Sequence, residues 1–306
     1  MNIQELPLIL FTILAQMSIG SFAILGFLYF LSAKKTDVKV LDRQTDLALL
    51  AIFPVLGLAL LASLFHLGNP FNAYYAVTNL GTSWLSREIL SGVAFALVGG
   101  LFALLQWRKV GSFQVRNVLA WIAAIIGVGM VYIMFNVYAL PAQPAWNTVF
   151  NLVGFYATTF SLGSIAVGAA LVAAYIYLQK KNAEETKQLE GVLRQSLKWI
   201  AGISIAMLGV QFLVIPLNLA ILSSEGGAAS VSAGMYYGQY AGLFSLRLVL
   251  AFLGAGVLAS FIYRAAESST GEKVLPSLVY LALVVVLASE LIGRFLFYVA
   301  KVRVGL

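Results

Sequence analysis

The single histidine and a few acids and arginines interrupt a chain otherwise built of apolar runs, and their places define the chemistry open to it. His66 stands in Ser63-Leu64-Phe65-His66-Leu67-Gly68-Asn69-Pro70, where Gly68 and Pro70 predict the end of a helix. Glu88 stands in Trp84-Leu85-Ser86-Arg87-Glu88-Ile89, which reads as the opening of the next helix, with Ser86 as N-cap and Glu88 in the first turn. A helix that ends and a successor that begins at the same face bring an imidazole and a carboxylate to one place. A redox ligand with two exchangeable protons can contact both. Two plainer readings stand beside this one: His66 bonding a free carbonyl at a helix C-terminus, and Glu88 complementing a helix dipole.

A second group of charges lies in Ser289-Glu290-Leu291-Ile292-Gly293-Arg294. The i,i+4 spacing puts Glu290 and Arg294 on one helical face, either as an ion pair that lowers the cost of both charges or as ligand contacts. Arg247 enters the preceding apolar run from the same side, within reach of Glu88 or Glu290 as a partner. Ionisable groups inside such runs are expensive and mark function by default. Tyr74, Tyr75, Trp84, Tyr236, Tyr237 and Tyr240 gather near the same face and read as an interfacial aromatic belt. Gly20, Gly57, Gly92, Gly99, Gly100 and Gly163 read as helix-packing positions, not phosphate loops.

The elements that must position these residues follow from composition. With 61% hydrophobic residues, 10% charged residues and a mean hydropathy of +0.93, the 306-residue chain is an all-α integral membrane protein. Eight runs are long enough to cross the bilayer: Leu6 to Leu31, Leu47 to Phe65, Ile89 to Trp107, Val118 to Leu140, Asn151 to Leu178, Trp199 to Leu222, Leu243 to Tyr263 and Val274 to Tyr298. They predict a bundle of eight transmembrane helices forming a single domain over residues 1–306. The first run lacks a basic leader and a clear cleavage site and reads as a retained helix.

Fourteen of the nineteen Lys and Arg residues fall in the first, third, fifth and seventh connections. The positive-inside rule then places both termini outside, in the periplasm, with the protein in a bacterial cytoplasmic (inner) membrane. The fifth connection, about Gln179 to Lys198, reads as a charged amphipathic or solvated hairpin. The absence of cysteine excludes thiolate-held iron–sulfur clusters, and one histidine excludes a bis-histidine haem within one copy. A redox metal must therefore belong to a partner. The net charge of +7 is accounted for by the inner loops, not by nucleic-acid binding.

The runs His66-Leu67-Gly68-Asn69-Pro70, Ser86-Arg87-Glu88-Ile89 with Ser91-Gly92, and Glu290-Leu291-Ile292-Gly293-Arg294 with Phe297-Tyr298 resemble, in order, signatures of the membrane-anchor subunit of the anaerobic dimethyl sulfoxide reductases. The opening Leu8-Ile9-Leu10-Phe11-Thr12, with Gln16 and Gly20, is similar too. The resemblance implies an anchor that binds and oxidises menaquinol near the periplasmic face and passes electrons to an iron–sulfur subunit and a molybdopterin catalytic subunit. It implies a quinol site built on His66 and Glu88, with Gly68 shaping the loop, and for Glu290 and Arg294 it carries over the motif alone; their places in the sequence add Asn69, Ser86 and Arg87 as expected quinol contacts and Arg247, Glu290 and Arg294 as expected supporting charges. No haem or metal is expected in this protein. Three other readings remain in play: an anchor of the polysulfide reductase type, a secondary transporter with a charged midplane path, and a passive tether.

Overall fold

The apolar runs become long helices in a computed structural model that describes residues 6–33, 38–64, 78–181, 183–268 and 273–304. In chain order these are α1 (Leu6–Ser32), α2 (Val38–Leu64), α3 (Trp84–Arg108), α4 (Phe113–Tyr138), α5 (Val149–Lys181), α6 (Ala183–Glu225), α7 (Gly227–Tyr237), α8 (Ala241–Ala251), α9 (Ala259–Glu267) and α10 (Leu275–Val299). A π-helical segment, Phe252–Leu258, joins α8 to α9 within one span. Among the described residues, eight helical spans are long and apolar enough to cross a bilayer, as the sequence predicts. His66, Gly68, Asn69, Tyr74, Tyr75, Lys34 and Lys35 lie outside the described residues.

The spans differ sharply in how much protein surrounds them. The apolar windows of α1 and α5 are 78% and 72% buried, whereas those of the other six are buried to 33% or less. Helices α1 to α4 pack as one group and α5, α6, α8, α9 and α10 as another, and the two groups meet along α1 and α5. Gly20 and Gly163 make that contact possible. A Cβ on Gly20 would strike the Thr159 carbonyl and one on Gly163 would strike the backbone of Gly20, so the two helices touch main chain to main chain. Gln16 Nε2 donates to the Phe155 carbonyl at 3.2 Å and Ser21 Oγ to that of Gly163 at 3.4 Å. Gly57 and Gly100, also expected as packing positions, have nothing within 4 Å of a built Cβ.

Two local expectations need correction. The N-cap of α3 is Ser83, not Ser86: the Ser83 hydroxyl accepts from the Ser86 N–H at 3.3 Å, and the helix opens at Trp84. Glu88 therefore stands beyond the first turn and is not a dipole complement. The fifth connection takes the amphipathic of its two expected forms and not the solvated one: α5 continues to Lys181 and α6 begins at Ala183. Leu189, Leu193 and Leu197 are buried at i,i+4 spacing, so this stretch is an amphipathic helical extension of the bundle. Arg194 holds it by pairing with Glu190 and by donating to the carbonyls of Ala265 and Ser268 at the end of α9.

At the end of the bundle opposite the termini, Lys109 caps α3 in the left-handed region, with φ of 53°. Its ammonium reaches Asp42 Oδ2 at 2.8 Å and Asp46 Oδ2 at 2.7 Å; Tyr29 and Gln106 donate to the remaining carboxylate oxygens at 2.9 and 3.0 Å. Replacing Lys109 by methionine leaves two neighbouring carboxylates without their cation. Because the lysine side chain is 44% exposed, solvent takes up part of the loss, and we expect destabilisation of about 1–2 kcal/mol. A lowered thermal midpoint in detergent, partly recovered by adding Asp46→Asn, is the check.

Candidate functional site

Glu88 projects from the first part of α3, at the end of the bundle where the chain termini lie. It is only 4% exposed, and its Oε1 bonds to no described residue. A buried carboxylate oxygen with no donor is costly, so it marks a place where a ligand or a proton belongs. Ser86, 2% exposed, lies buried on the same turn. Arg87 takes another direction: its Nε and Nη2 donate to the carbonyls of Leu80 and Gly81 at 2.8 and 2.7 Å, and its guanidinium covers the Trp84 ring at 4.3 Å. Arg87 thus clamps the turn that precedes α3.

Tyr138 and Tyr298 lie within electrostatic range of Glu88. The Tyr298 hydroxyl donates to that of Tyr138 at 2.7 Å, and both side chains are buried. Around them Trp146, Phe155 and Phe297 form an aromatic wall. Trp146 stacks on Phe297 at 5.1 Å and donates its Nε1–H to the Phe297 carbonyl at 2.7 Å. Arg294 passes through this wall. Its guanidinium lies 4.0 Å from the Phe155 ring centroid and donates to Gln16 Oε1 at 2.8 Å.

On the far side of the wall a cavity of ≈ 80 Å³, space for roughly five waters, opens among α5, α6, α7, α8 and α10. Asn151, Thr158, Gln211, Asn218, Tyr236, Arg247, Glu290 and Arg294 supply its polar lining. Glu290 Oε1 accepts from Gln211 Nε2 at 2.6 Å and Oε2 from the Thr158 hydroxyl at 2.8 Å. The i,i+4 ion pair is therefore not what holds these charges: among the described residues, Glu290 and Arg294 are each bonded to neutral groups on other helices. Arg247 shares the cavity with Glu290, while Glu88 is not among its lining residues. Burial holds the Tyr236 hydroxyl above its ordinary pKa, against the pull of Arg247 and Arg294, so it remains a neutral donor.

Thr158, Gln211, Asn218 and Tyr138 are site residues that spacing alone did not bring forward. The signal that could have found them was the rarity of an amide inside an apolar span, as at Gln211. Among the described residues no group of three or more His, Cys, Asp or Glu gathers to hold a metal.

Sequence comparison places this arrangement among known proteins. The profile of the DMSO reductase anchor subunit (DmsC) family matches residues 1–299. The protein is 28% identical to the C subunit of the anaerobic dimethyl sulfoxide reductase of Escherichia coli (strain K12), over 99% of its own length and 96% of that relative. It is 27% identical to the corresponding C subunit of Haemophilus influenzae, over 100% and 98% of the respective lengths. The anaerobic dimethyl sulfoxide reductase subunit YnfH of Escherichia coli is 29% identical, over 99% and 96%. With its eight apolar spans and a family match from first helix to last, the protein belongs to the membrane-anchor subunits of the DMSO reductases.

Proposed function

We propose that this anchor binds and oxidises menaquinol at its terminal end, that this end faces the periplasm of a bacterial inner membrane, and that the electrons pass to an iron–sulfur subunit and onward to a molybdopterin catalytic subunit. The whole polypeptide serves as one quinol-oxidising unit. The observation that carries the reading is Glu88: a carboxylate inside the bundle, one oxygen without a described partner, on the helix that follows the His66 segment. Oxidising a quinol to a quinone releases two protons and two electrons, so the site needs proton acceptors beside the ring and an electron acceptor beyond it. Neutral His66 takes one hydroxyl proton, and Glu88 relays or receives the other. Gly68 shapes the loop that carries His66, Asn69 adds a quinol contact, Ser86 closes the buried side, and Arg87 holds the turn that precedes α3. The tyrosine pair and Arg294 support the wall against which the ring rests.

Replacing His66 by glutamine should leave the subunits assembled and leave reduction by a soluble dye unchanged, while quinol-driven reduction is lost. Retention of quinol-driven turnover at the normal rate would turn the anchor back into a passive tether. Protons released and consumed on the same side move no net charge, so electrode or dye measurements on proteoliposomes should give a translocation stoichiometry near zero. A value well above zero would refute the placement of the site.

A further inference from the structure

We propose that the cavity on the α5, α6, α8 and α10 side of the aromatic wall is a binding site for an oxyanion of the phosphodiester class, with the Arg247 guanidinium as its principal contact. The site is separate from Glu88 and does not rest on the quinol reading.

The cavity carries an excess of positive charge. The cavity lining contains two guanidinium groups and one carboxylate. Arg294 is engaged by Gln16 and by the Phe155 face, and both oxygens of Glu290 accept from neutral donors. Arg247 differs. Its backbone carbonyl accepts from Ser289 at 2.9 Å, but its guanidinium forms no hydrogen bond or ion pair among the described residues. It rests on Gly293, where an added Cβ would lie 2.6 Å from its Cζ. Arg247 and Arg294 repel one another across this space. The result is an excess cation, half-buried in a membrane-spanning bundle, with donors still free to act.

Such a charge calls for an anion. A guanidinium fork matches two oxygens of a phosphate or carboxylate bidentately, whereas a neutral quinone carbonyl would leave the charge uncompensated. The neighbouring polar groups suit an oxyanion as well. Asn218 Oδ1 is already engaged by the Thr148 hydroxyl at 2.8 Å, which leaves its amide N–H groups to donate, and the Tyr236 hydroxyl is a donor held neutral. Phe150, Val214, Ile215 and Leu219 line the same space with apolar surface, which suits the glycerol and acyl portions of a lipid. Two sources share the chemistry: a phospholipid headgroup and free phosphate.

The test uses the full-length protein with its native partners, purified in a mild detergent without phosphate and washed extensively. Native mass spectrometry and a phosphorus assay should find a phospholipid retained by the wild type. Arg247→Gln should lower that retention by about tenfold, and Gly293→Ala, which displaces the guanidinium from its seat, should also lower it. Arg303→Gln, exposed beyond α10, should not. The stripped wild type is then titrated with short-chain phosphatidylglycerol or with inorganic phosphate, and its thermal midpoint followed. This arm needs no variant to fold. A rise with the lipid alone supports the site with a headgroup as occupant; a rise with both supports it as a free-anion site. No rise with either, equal phospholipid retention by wild type and Arg247→Gln, or an Arg247-dependent ligand that is a quinone without phosphorus would each overturn the proposal.

Discussion

Replacing Glu88 by glutamine is expected to reduce quinol-driven turnover by about 10²- to 10⁴-fold, the range over which a positioned proton acceptor acts. The substitution keeps the side-chain volume and removes the ability to take up a proton. The fold should tolerate it, because Glu88 Oε1 bonds to no described residue and no described hydrogen bond is lost there. Dye-driven reduction and co-purification of partners are the controls, and both should match the wild type. Arg87→Gln should have a smaller effect, because that side chain bonds to the carbonyls of Leu80 and Gly81 and so acts on the turn. Near-normal quinol-driven rates in the Glu88→Gln protein would remove the carboxylate from the mechanism and leave its burial without a function.

The second large effect is structural. Gly163→Ala should cost several kcal/mol, because the new methyl would lie 2.5 Å from Gly20 Cα and from the Ser21 nitrogen, with only backbone to displace. Neither helix can yield by turning a side chain. The two must move apart, and that movement also weakens the Gln16 bond to Phe155 and the Ser21 bond to Gly163. We expect little folded protein to be recovered from membranes and a sharply lower thermal midpoint in whatever is extracted. Gly57→Ala, where the added methyl meets nothing within 4 Å, should stay within about 0.5 kcal/mol of the wild type. Equal stability of the two variants would disprove the main-chain contact between α1 and α5.

The spans were legible in the sequence because a run of about twenty apolar residues has few alternatives to a helix in lipid. The ends were less so. Ser83 and Ser86 are the same residue type three positions apart, and cap preference alone does not separate them; Trp84 as the opening residue decides it only in three dimensions. For Gln179 to Lys198 the dense charges left an amphipathic and a solvated hairpin both open. The leucines at 189, 193 and 197 were the signal that it is a helix with one buried face. At the candidate site, the charges of Glu88, Glu290 and Arg294 inside apolar runs were visible in the sequence, and their partners were not. The i,i+4 rule offered Arg294 to Glu290, yet Gln211, 79 residues away, and Thr158, 132 residues away, take the carboxylate. Spacing rules describe neighbours on one helix, whereas a charge in a bundle is satisfied by whichever helix packs against it.

That dependence on distant helices has a consequence for biosynthesis. Gln16 enters the bilayer with the first helix, but the carbonyl it will bond lies 139 residues further along the sequence, and the guanidinium that will bond its oxygen lies 278 residues on. A ribosome-bound intermediate therefore carries an unanswered amide in lipid while most of the polypeptide is still being made. The last helix, in turn, can bring Arg294 across the membrane at low cost only when that amide is already in place. The order of translation and the order of satisfied contacts run in opposite directions, so a truncated product lacking α10 should be degraded even though seven of its spans are intact.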